Sequence, residues 1–373
     1  MAWPGPAPLS ETGRLAVIAA GGTGGHLFPA QALAEALTAR GWRIVLATDA
    51  RTEGLAASFP AERRVAIASA TLAGGPIARV RQTGHLLRGF LQARSVLKTL
   101  RPSIVVGFGG YPSIPTLLAA RALGIKSAIH EQNAVMGRAN RLLARGASAI
   151  ACAFPTLMKA SPAVRARAVV VGNPVRPAIR ALAQAPYEPP GSEGPLHLFV
   201  TGGSQGARVL SQTAPAAVAI LPADLRRRLA VVQQTRPELI AAAGAAYREA
   251  GVEAELAAFF PDMAVRWTWA HLVVARSGAS TVGEIAVAGR PAILVPLGAA
   301  LDDDQGQNAR LLSEAGAAVV VRESTLTAES LAAILGDLLA DPARLAAMAA
   351  AARAAATPDA AEALADLVER TAA

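Results

Sequence analysis

Two stretches of this chain repeat one arrangement: a short apolar run, a glycine-rich turn, then a segment with helical patterning. The first reads RLAVIAA, GGTGGH (Gly21–His26) and LFPAQALAEALTAR. The second reads LHLFVT, GGSQGAR (Gly202–Arg208) and VLSQTA. Glycines at such a junction let the backbone turn sharply from strand into helix. They also let an anion approach bare N–H groups at the positive end of the helix. Further apolar runs (WRIVLATD, SIVVGF, KSAIHE, SAIACAF and AVVVGN, then RLAVVQQT, HLVVA and PAILVPLG) alternate with helical segments. Short continuous apolar runs between helices specify parallel sheets covered on both faces. The expected fold class is therefore α/β, with two domains in tandem, each opening with a glycine-rich turn; two such domains facing one another would put a shared site in the cleft between them. Ligands of such sheets bind at the carboxyl ends of the strands. The Pro/Gly-rich stretch AQAPYEPPGSEGP is the expected linker.

The first turn is neither of two familiar nucleotide loops. A dinucleotide fingerprint needs G-x-G-x-x-G, and counting from Gly22 the third glycine falls on Leu27. Asp49, which would suit a dehydrogenase ribose contact, loses that reading with the fingerprint. No G-x-x-x-x-G-K-[ST] occurs either.

Composition narrows the class further. Hydrophobic residues make up 53% and charged residues 17%, which suits a chain that builds cores. Cys152 is the only cysteine; it reads as a small buried hydrophobe and fits a reducing compartment. The first residues lack the basic and apolar regions of a signal peptide, and no run reaches the ~18 apolar residues of a membrane span. The net charge of +9 hides an asymmetry. Residues 1–187 carry 22 basic and 6 acidic side chains, and residues 188–373 carry 14 and 21. A first half at +16 against a second half at −7 points to an anionic partner for the first: a phosphate-rich substrate, an anionic membrane or nucleic acid. Aromatic residues are only 4%, few for the stacking platforms that single-strand binding uses.

Several polar groups sit where strands end. His26 closes the first turn, and an imidazole beside a sugar site suits a general base. Ser204 offers a hydroxyl from the second turn. The run Ser277–Glu284 (SGASTVGE) follows an apolar strand and opens a helix, where Glu284 can accept two ribose hydroxyls. LDDDQGQN (Leu301–Asn308) reads as an acidic helix N-terminus in preference to a Mg²⁺ site. GFGGYPSIP (Gly107–Pro115) and HEQNAVMGRANR (His130–Arg141) follow first-domain strands, and chemistry alone says only that they can hold an acceptor.

Taken together, GGTGGH, GGYPSIP, HEQN, VGNPVR, GGSQGAR, RSGASTVGE and DDDQGQNA, in that order, closely resemble the MurG family over about residues 14–370. The resemblance implies a GT-B glycosyltransferase, α/β with two Rossmann-like domains whose parallel sheets face a central cleft. Residues 13–175 would form the N-terminal acceptor- and membrane-binding domain and 176–355 the UDP-sugar domain, with 356–373 a helix packing back on the first. It implies a hexosyltransferase that moves N-acetylglucosamine from UDP-N-acetylglucosamine, with inversion, to the muramyl 4-hydroxyl of undecaprenyl-pyrophosphoryl-MurNAc-pentapeptide (lipid I to lipid II). That step belongs to peptidoglycan synthesis, and so to cell shape and division, at the cytoplasmic face of the bacterial inner membrane. Matching residues take the implied roles. Thr23, Gly24 and Gly25 would lie by the sugar and diphosphate. Asn133, Arg176 and Ser204 would reach the donor. Phe260 and Ala279, Ser280, Thr281, Val282, Gly283 and Glu284 would enclose uracil and ribose, with Gln305 on the sugar hydroxyls. His26 would be the base and Tyr111 would border the acceptor. No cofactor and no obligatory metal are expected, and no nucleic-acid partner. Where relatives often have H-Q-T/S-G, this chain has Gln233-Gln234-Thr235-Arg236, so no role is carried there. The alternatives are another GT-B glycolipid glycosyltransferase and, from a different class, a nucleic-acid-binding protein.

The segment Ile77–Leu100 carries two apolar stripes at helical spacing. Leu86, Phe90, Ala93, Leu97 and Leu100 are expected to face the core. Ile77, Val80, Leu87 and Leu91, bordered by Arg81, Arg88 and Lys98, are expected to face an anionic membrane, though Gly84 counts against one unbroken helix.

Overall fold

The computed structural model describes residues 13–22, 24–49, 59–69, 76–203, 206–298 and 302–373, with the backbone alone for 76–81. They fall into two compact units. The first takes in the described residues up to His130, Arg138–Ala151 and Glu362–Ala373. The second takes in Glu131–Gly137 and Cys152–Ala361.

One sheet has seven strands. From edge to edge they are β3 (Arg63–Ala66), β2 (Arg43–Thr48), β1 (Leu15–Ala19), β4 (Ile104–Gly107), β5 (Ser127–Glu131), β6 (Ala149–Cys152) and β7 (Ala168–Val170). The pairs from β3 through β5 are parallel, and Val17 of β1 lies opposite both Val45 and Val105. All five residues of β1 are buried, as a continuous apolar run with covered faces requires. The strand order reverses direction between β1 and β4. The connections leaving their carboxyl ends part there, which opens a crevice in a doubly wound sheet. Helix α1 (Gly24–Ala39) leaves β1 and the turn Phe108–Pro112 leaves β4, so GGTGGH and GGYPSIP both sit at this switch point.

The second unit repeats the plan with six parallel strands: β10 (Glu253–Ala257), β9 (Leu229–Gln234), β8 (Leu196–Thr201), β11 (Leu272–Ala275), β12 (Ala292–Leu294) and β13 (Ala318–Val320). Here the switch point lies between β8 and β11. GGSQGAR leaves the first and RSGASTVGE the second.

All ten strands expected from the sequence are present. The structure adds β3, β10 and β13, each at a sheet edge and mostly unburied along its length. The expected linker is corrected: AQAPYEPPGSEGP lies inside the second unit. Tyr187 from this stretch donates to the His271 carbonyl at 2.9 Å, with the Arg290 guanidinium 5.2 Å over its ring. Proline and glycine there mark the lack of regular structure, not a lack of packing. Cys152 is buried, and burial pushes its thiol up to about 11.

Helix α2 (Pro76–Leu100) runs unbroken through Gly84, the residue that counted against one continuous helix. Ala93 and Leu97 are buried, Leu86, Phe90 and Leu100 are half-buried, and Leu87 and Leu91 are exposed. Its two glycines do opposite things. A methyl group added at Gly89 would lie 1.9 Å from the Ala68 carbonyl oxygen, whereas one at Gly84 meets nothing within 4 Å among the described residues. Gly89→Ala is therefore expected to lower stability by about 1–3 kcal/mol through overpacking, despite alanine's better helix propensity. Gly84→Ala is expected to raise it by about 0.5–1 kcal/mol. Urea midpoints of opposite sign for the two variants check this; a stabilised Gly89→Ala protein would refute it.

The final helix (Ala360–Ala372) ends in the first unit. Arg40, in the turn after α1, pairs with Glu362 and Asp366 at 2.6 Å each and with Glu369 at 2.8 Å. The Trp42 indole donates to Glu369 at 2.9 Å.

Candidate active site

In the second unit, the helix Ala279–Ala288 begins at the β8/β11 switch point. Its N-cap is Gly278, which has extended backbone and places no side chain over the first turn. A helix start leaves its first N–H groups without intrahelical acceptors, and among the described residues no N-cap side chain caps them. Glu284 sits in the second turn and is only 7% exposed. Its carboxylate accepts from the Trp267 indole at 3.0 Å and from Arg176 Nη2 at 3.5 Å. Burial pushes this carboxyl above the usual range, and Arg176 and Trp267 pull it back. A carboxylate with two such partners keeps acceptor capacity for two further donors.

Around the start of this helix lies a network centred on Asn308, which is fully buried. Its Oδ1 accepts from Ala134 N at 2.9 Å. Its Nδ2 donates to Asn133 Oδ1 at 3.0 Å and to the Ser277 carbonyl at 3.3 Å. Asn133 is held further by Glu131, whose carboxylate accepts from the Asn133 and Gly137 amides at 3.0 and 2.9 Å. Gln305 belongs to the same cluster. Its carbonyl accepts from the Ser277 hydroxyl at 2.9 Å and its Oε1 from Leu297 N at 3.0 Å. Gln305 and Asn308 share one face of the helix Asp304–Glu314, three residues apart.

The acidic run is a helix start, as read from the sequence. Asp302 pairs with Lys159, Asp303 accepts from Arg322 at 3.0 Å, and Asp304 lies in the first turn. Phe260 and Val282 turn their side chains into the core. The Phe260 ring lies edge-on to Phe199 and under the Arg266 guanidinium. Among the described residues the Ser280 hydroxyl oxygen is buried without a hydrogen-bond partner. Ser204 lies outside the described residues. The two departures, Gln233 and Arg236, are held inside the second unit: Gln233 accepts from the Tyr247 hydroxyl and donates to the Leu210 carbonyl at 3.4 Å, and the Arg236 amide donates to Ser211 Oγ at 3.2 Å. Gln234, which matches the family, accepts through Oε1 from Thr201 Oγ1 at 3.0 Å and from Gly202 N at 3.1 Å and so supports the base of the glycine turn.

In the first unit, His26 stands in the first turn of α1, half-buried, next to Gly24 and Gly25. Thr23 lies outside the described residues. Gly109 and Gly110 have φ of +83° and +72°, which only glycine adopts without strain. A methyl group on Gly109 would lie 3.5 Å from His26 Cε1 and 3.4 Å from Asn140 Nδ2. One on Gly110 would lie 3.4 Å from His26 Cδ2. The imidazole thus packs against this bare turn. The Ser113 hydroxyl fixes the turn by bridging the Ala19 and Gly109 carbonyls at 2.9 and 2.6 Å. Tyr111, the next residue, is half-buried. On α2, Leu87, Arg88 and Leu91 are exposed, while the side chains of Ile77, Val80 and Arg81 lie outside the description.

The glycosyltransferase family 28 N-terminal domain matches residues 16–152, and the family 28 C-terminal domain matches 197–364. The UDP-N-acetylglucosamine--N-acetylmuramyl-(pentapeptide) pyrophosphoryl-undecaprenol N-acetylglucosamine transferase of Phenylobacterium zucineum (strain HLK1) is 62% identical over 360 residues, which cover 96% of this chain and 99% of that one. A transferase of the same name from Caulobacter vibrioides (strain NA1000 / CB15N) is 57% identical over 96% of this chain and 99% of its own. The crystal structure of Acinetobacter baumannii MurG matches with a TM-score of 0.77 at 32% identity, covering 96% of this chain and 99% of that chain. The chain belongs to the MurG family. Its fold is GT-B.

Three MurG-family positions that matter to this geometry were not singled out by sequence reasoning. Asn308 stood inside a quoted motif, and its spacing from Gln305 was the available signal. Trp267 carried no local signal, because its partner Glu284 lies 17 residues away; Ser113 stood inside GGYPSIP, where its bond to Gly109 is local but its bond to Ala19, 94 residues away, is not.

Proposed function

We propose that this chain transfers N-acetylglucosamine from UDP-N-acetylglucosamine to the muramyl 4-hydroxyl of undecaprenyl-pyrophosphoryl-MurNAc-pentapeptide, the step that makes lipid II in peptidoglycan synthesis. The observation that carries this is the 62% identity, over nearly the whole of both chains, to a transferase named for that reaction. The second unit binds the donor. Glu284 accepts the ribose hydroxyls, Arg176, Asn133 and Gln305 reach the sugar and diphosphate, and the uncapped start of the Ala279–Ala288 helix faces negative charge. From the first unit His26 takes the proton of the attacking hydroxyl, and Tyr111 borders the acceptor. The anomeric centre inverts in a single displacement. Helix N-termini and loop amides stabilise the charge that develops on departing UDP, so the reading calls for no obligatory metal. Transfer of labelled N-acetylglucosamine from UDP to a lipid I analogue tests the proposal. Label in the disaccharide product is expected; transfer only to other glycolipids would favour the alternative.

The acceptor's lipid cannot leave a bilayer, and no helix among the described residues is long and apolar enough to cross a membrane. The exposed Leu87, Arg88 and Leu91 on α2 support peripheral attachment to an anionic surface. Each basic residue there is worth about 1 kcal/mol, screened by salt. Reversing Arg81 and Arg88 to Glu is expected to weaken partitioning onto anionic liposomes at least about thirty-fold while leaving UDP affinity intact. Undiminished co-sedimentation of that variant would remove this face from the reading.

A further inference from the structure

Burying a carboxylate is costly, and an apolar residue at 284 would complete this core more cheaply. Glu284 is buried all the same, and its tighter protein partner is not the arginine. The Arg176 contact spans 3.5 Å, whereas the Trp267 indole reaches the other oxygen at 3.0 Å. Trp267 is itself fully buried on the short helix Met263–Trp269, its ring edge-on to Phe199 with centroids 5.2 Å apart. Packing against Phe199 leaves the indole little freedom to turn, so its N–H direction is fixed by the core. A buried indole N–H needs an acceptor. Here it has found one on the side chain read above as the ribose ligand.

We propose that Trp267 is a positioning residue of the donor site: its core-fixed N–H pins one oxygen of Glu284 and so sets the orientation in which the carboxylate receives both ribose hydroxyls. The inference rests on that reading of Glu284. Two rotatable bonds separate the Glu284 carboxyl from its Cβ, and two hydroxyls on adjacent carbons demand a defined carboxylate plane. Arg176 alone, half-buried and at longer range, holds the other oxygen and leaves the plane free to tilt. Arg176 is also the charged group that faces Glu284 among the described residues. Any titration of donor affinity that arises here belongs to Glu284.

Trp267→Phe keeps an aromatic ring beside Phe199, removes the donor, and also removes the volume of the five-membered ring, a packing cost that the double-mutant cycle below separates. Calorimetry is expected to show about tenfold weaker UDP binding. In turnover assays the donor KM is expected to rise and kcat at saturating donor to change little. The pH profile supplies a second readout. Losing a donor raises the Glu284 pKa, and only the ionised form accepts both hydroxyls strongly, so affinity should fail at a higher pH on acidification than in the parent. A double-mutant cycle then separates positioning from packing. In a Glu284→Gln background, Trp267→Phe is expected to cost less than twofold. An equal loss in both backgrounds would mean that Trp267 acts by packing alone and would overturn the inference. Unchanged UDP affinity in Glu284→Ala would overturn the ribose reading first, and the inference with it. Should Trp267→Phe fail to fold, the parent answers instead. The Trp267 indole ¹⁵N–¹H resonance is expected to shift with pH as Glu284 ionises and to lose that shift in Glu284→Gln. A resonance indifferent to Glu284 would overturn the proposal.

Discussion

His26→Ala is expected to lower turnover by roughly 10²–10⁴ while leaving UDP affinity within about twofold, the signature of a lost general base. The asymmetry follows from where the groups stand. His26 belongs to the first unit, while Glu284, Arg176, Asn133 and Gln305 all belong to the second. The imidazole packs against Gly109 and Gly110, whose positive φ leaves no side chain over its ring. Removing it should open space at the end of α1 without disturbing the donor's contacts. Turnover with the lipid I analogue and calorimetry with UDP give the two readings. Near-normal turnover would end the assignment, and a matching fall in UDP affinity would make His26 a donor contact.

The second large effect is at Glu284. Glu284→Ala is expected to weaken UDP binding by about 1.5–3 kcal/mol, the worth of hydrogen bonds to a charged acceptor, or roughly 10- to 150-fold. The loss should be specific to the nucleoside, with turnover at saturating donor much less affected. A part of the measured cost will come from the Trp267 indole and Arg176, which lose their partner inside the core. Melting curves measure that part separately, since it destabilises the free protein whether or not UDP is present. Unchanged UDP affinity would show that the carboxylate is structural.

The sequence revealed the central architecture better than its margins. Central strands such as β1 and β8 are buried on both faces, so each had to be a continuous apolar run, and such runs stand out. The edge strands β3, β10 and β13 face solvent along much of their length and carry no such pattern. Helix α2 shows a related limit: Gly84 looked like a break, yet Gly89, five residues on, is where the helix needs a glycine, because it passes against the Ala68 carbonyl. At the site, residues near strand ends were legible because turn chemistry is local. The side chains that orient them were not. Trp267 meets Glu284 only after β11 has been laid between them, and Asn308 meets Asn133 across 175 residues of chain. Nothing in a window of neighbours encodes such meetings.

The clasp on Arg40 bears on how the protein is made. Three carboxylates of the final helix converge on a guanidinium in the turn after α1, and the last twelve residues, Glu362–Ala373, belong to the first unit. A ribosome delivers the strands of that unit early and its closing helix last. At about 5–20 residues per second, roughly 10–40 s separate Ala151 from Glu362. Through that interval the nascent first unit lacks the carboxylates that neutralise Arg40 and the acceptor of the Trp42 indole. The first unit therefore gains its last segment only after every residue of the second unit has been made. The second unit is complete in the nascent chain first, so a truncation that removes Glu362–Ala373 would injure the half of the protein made first.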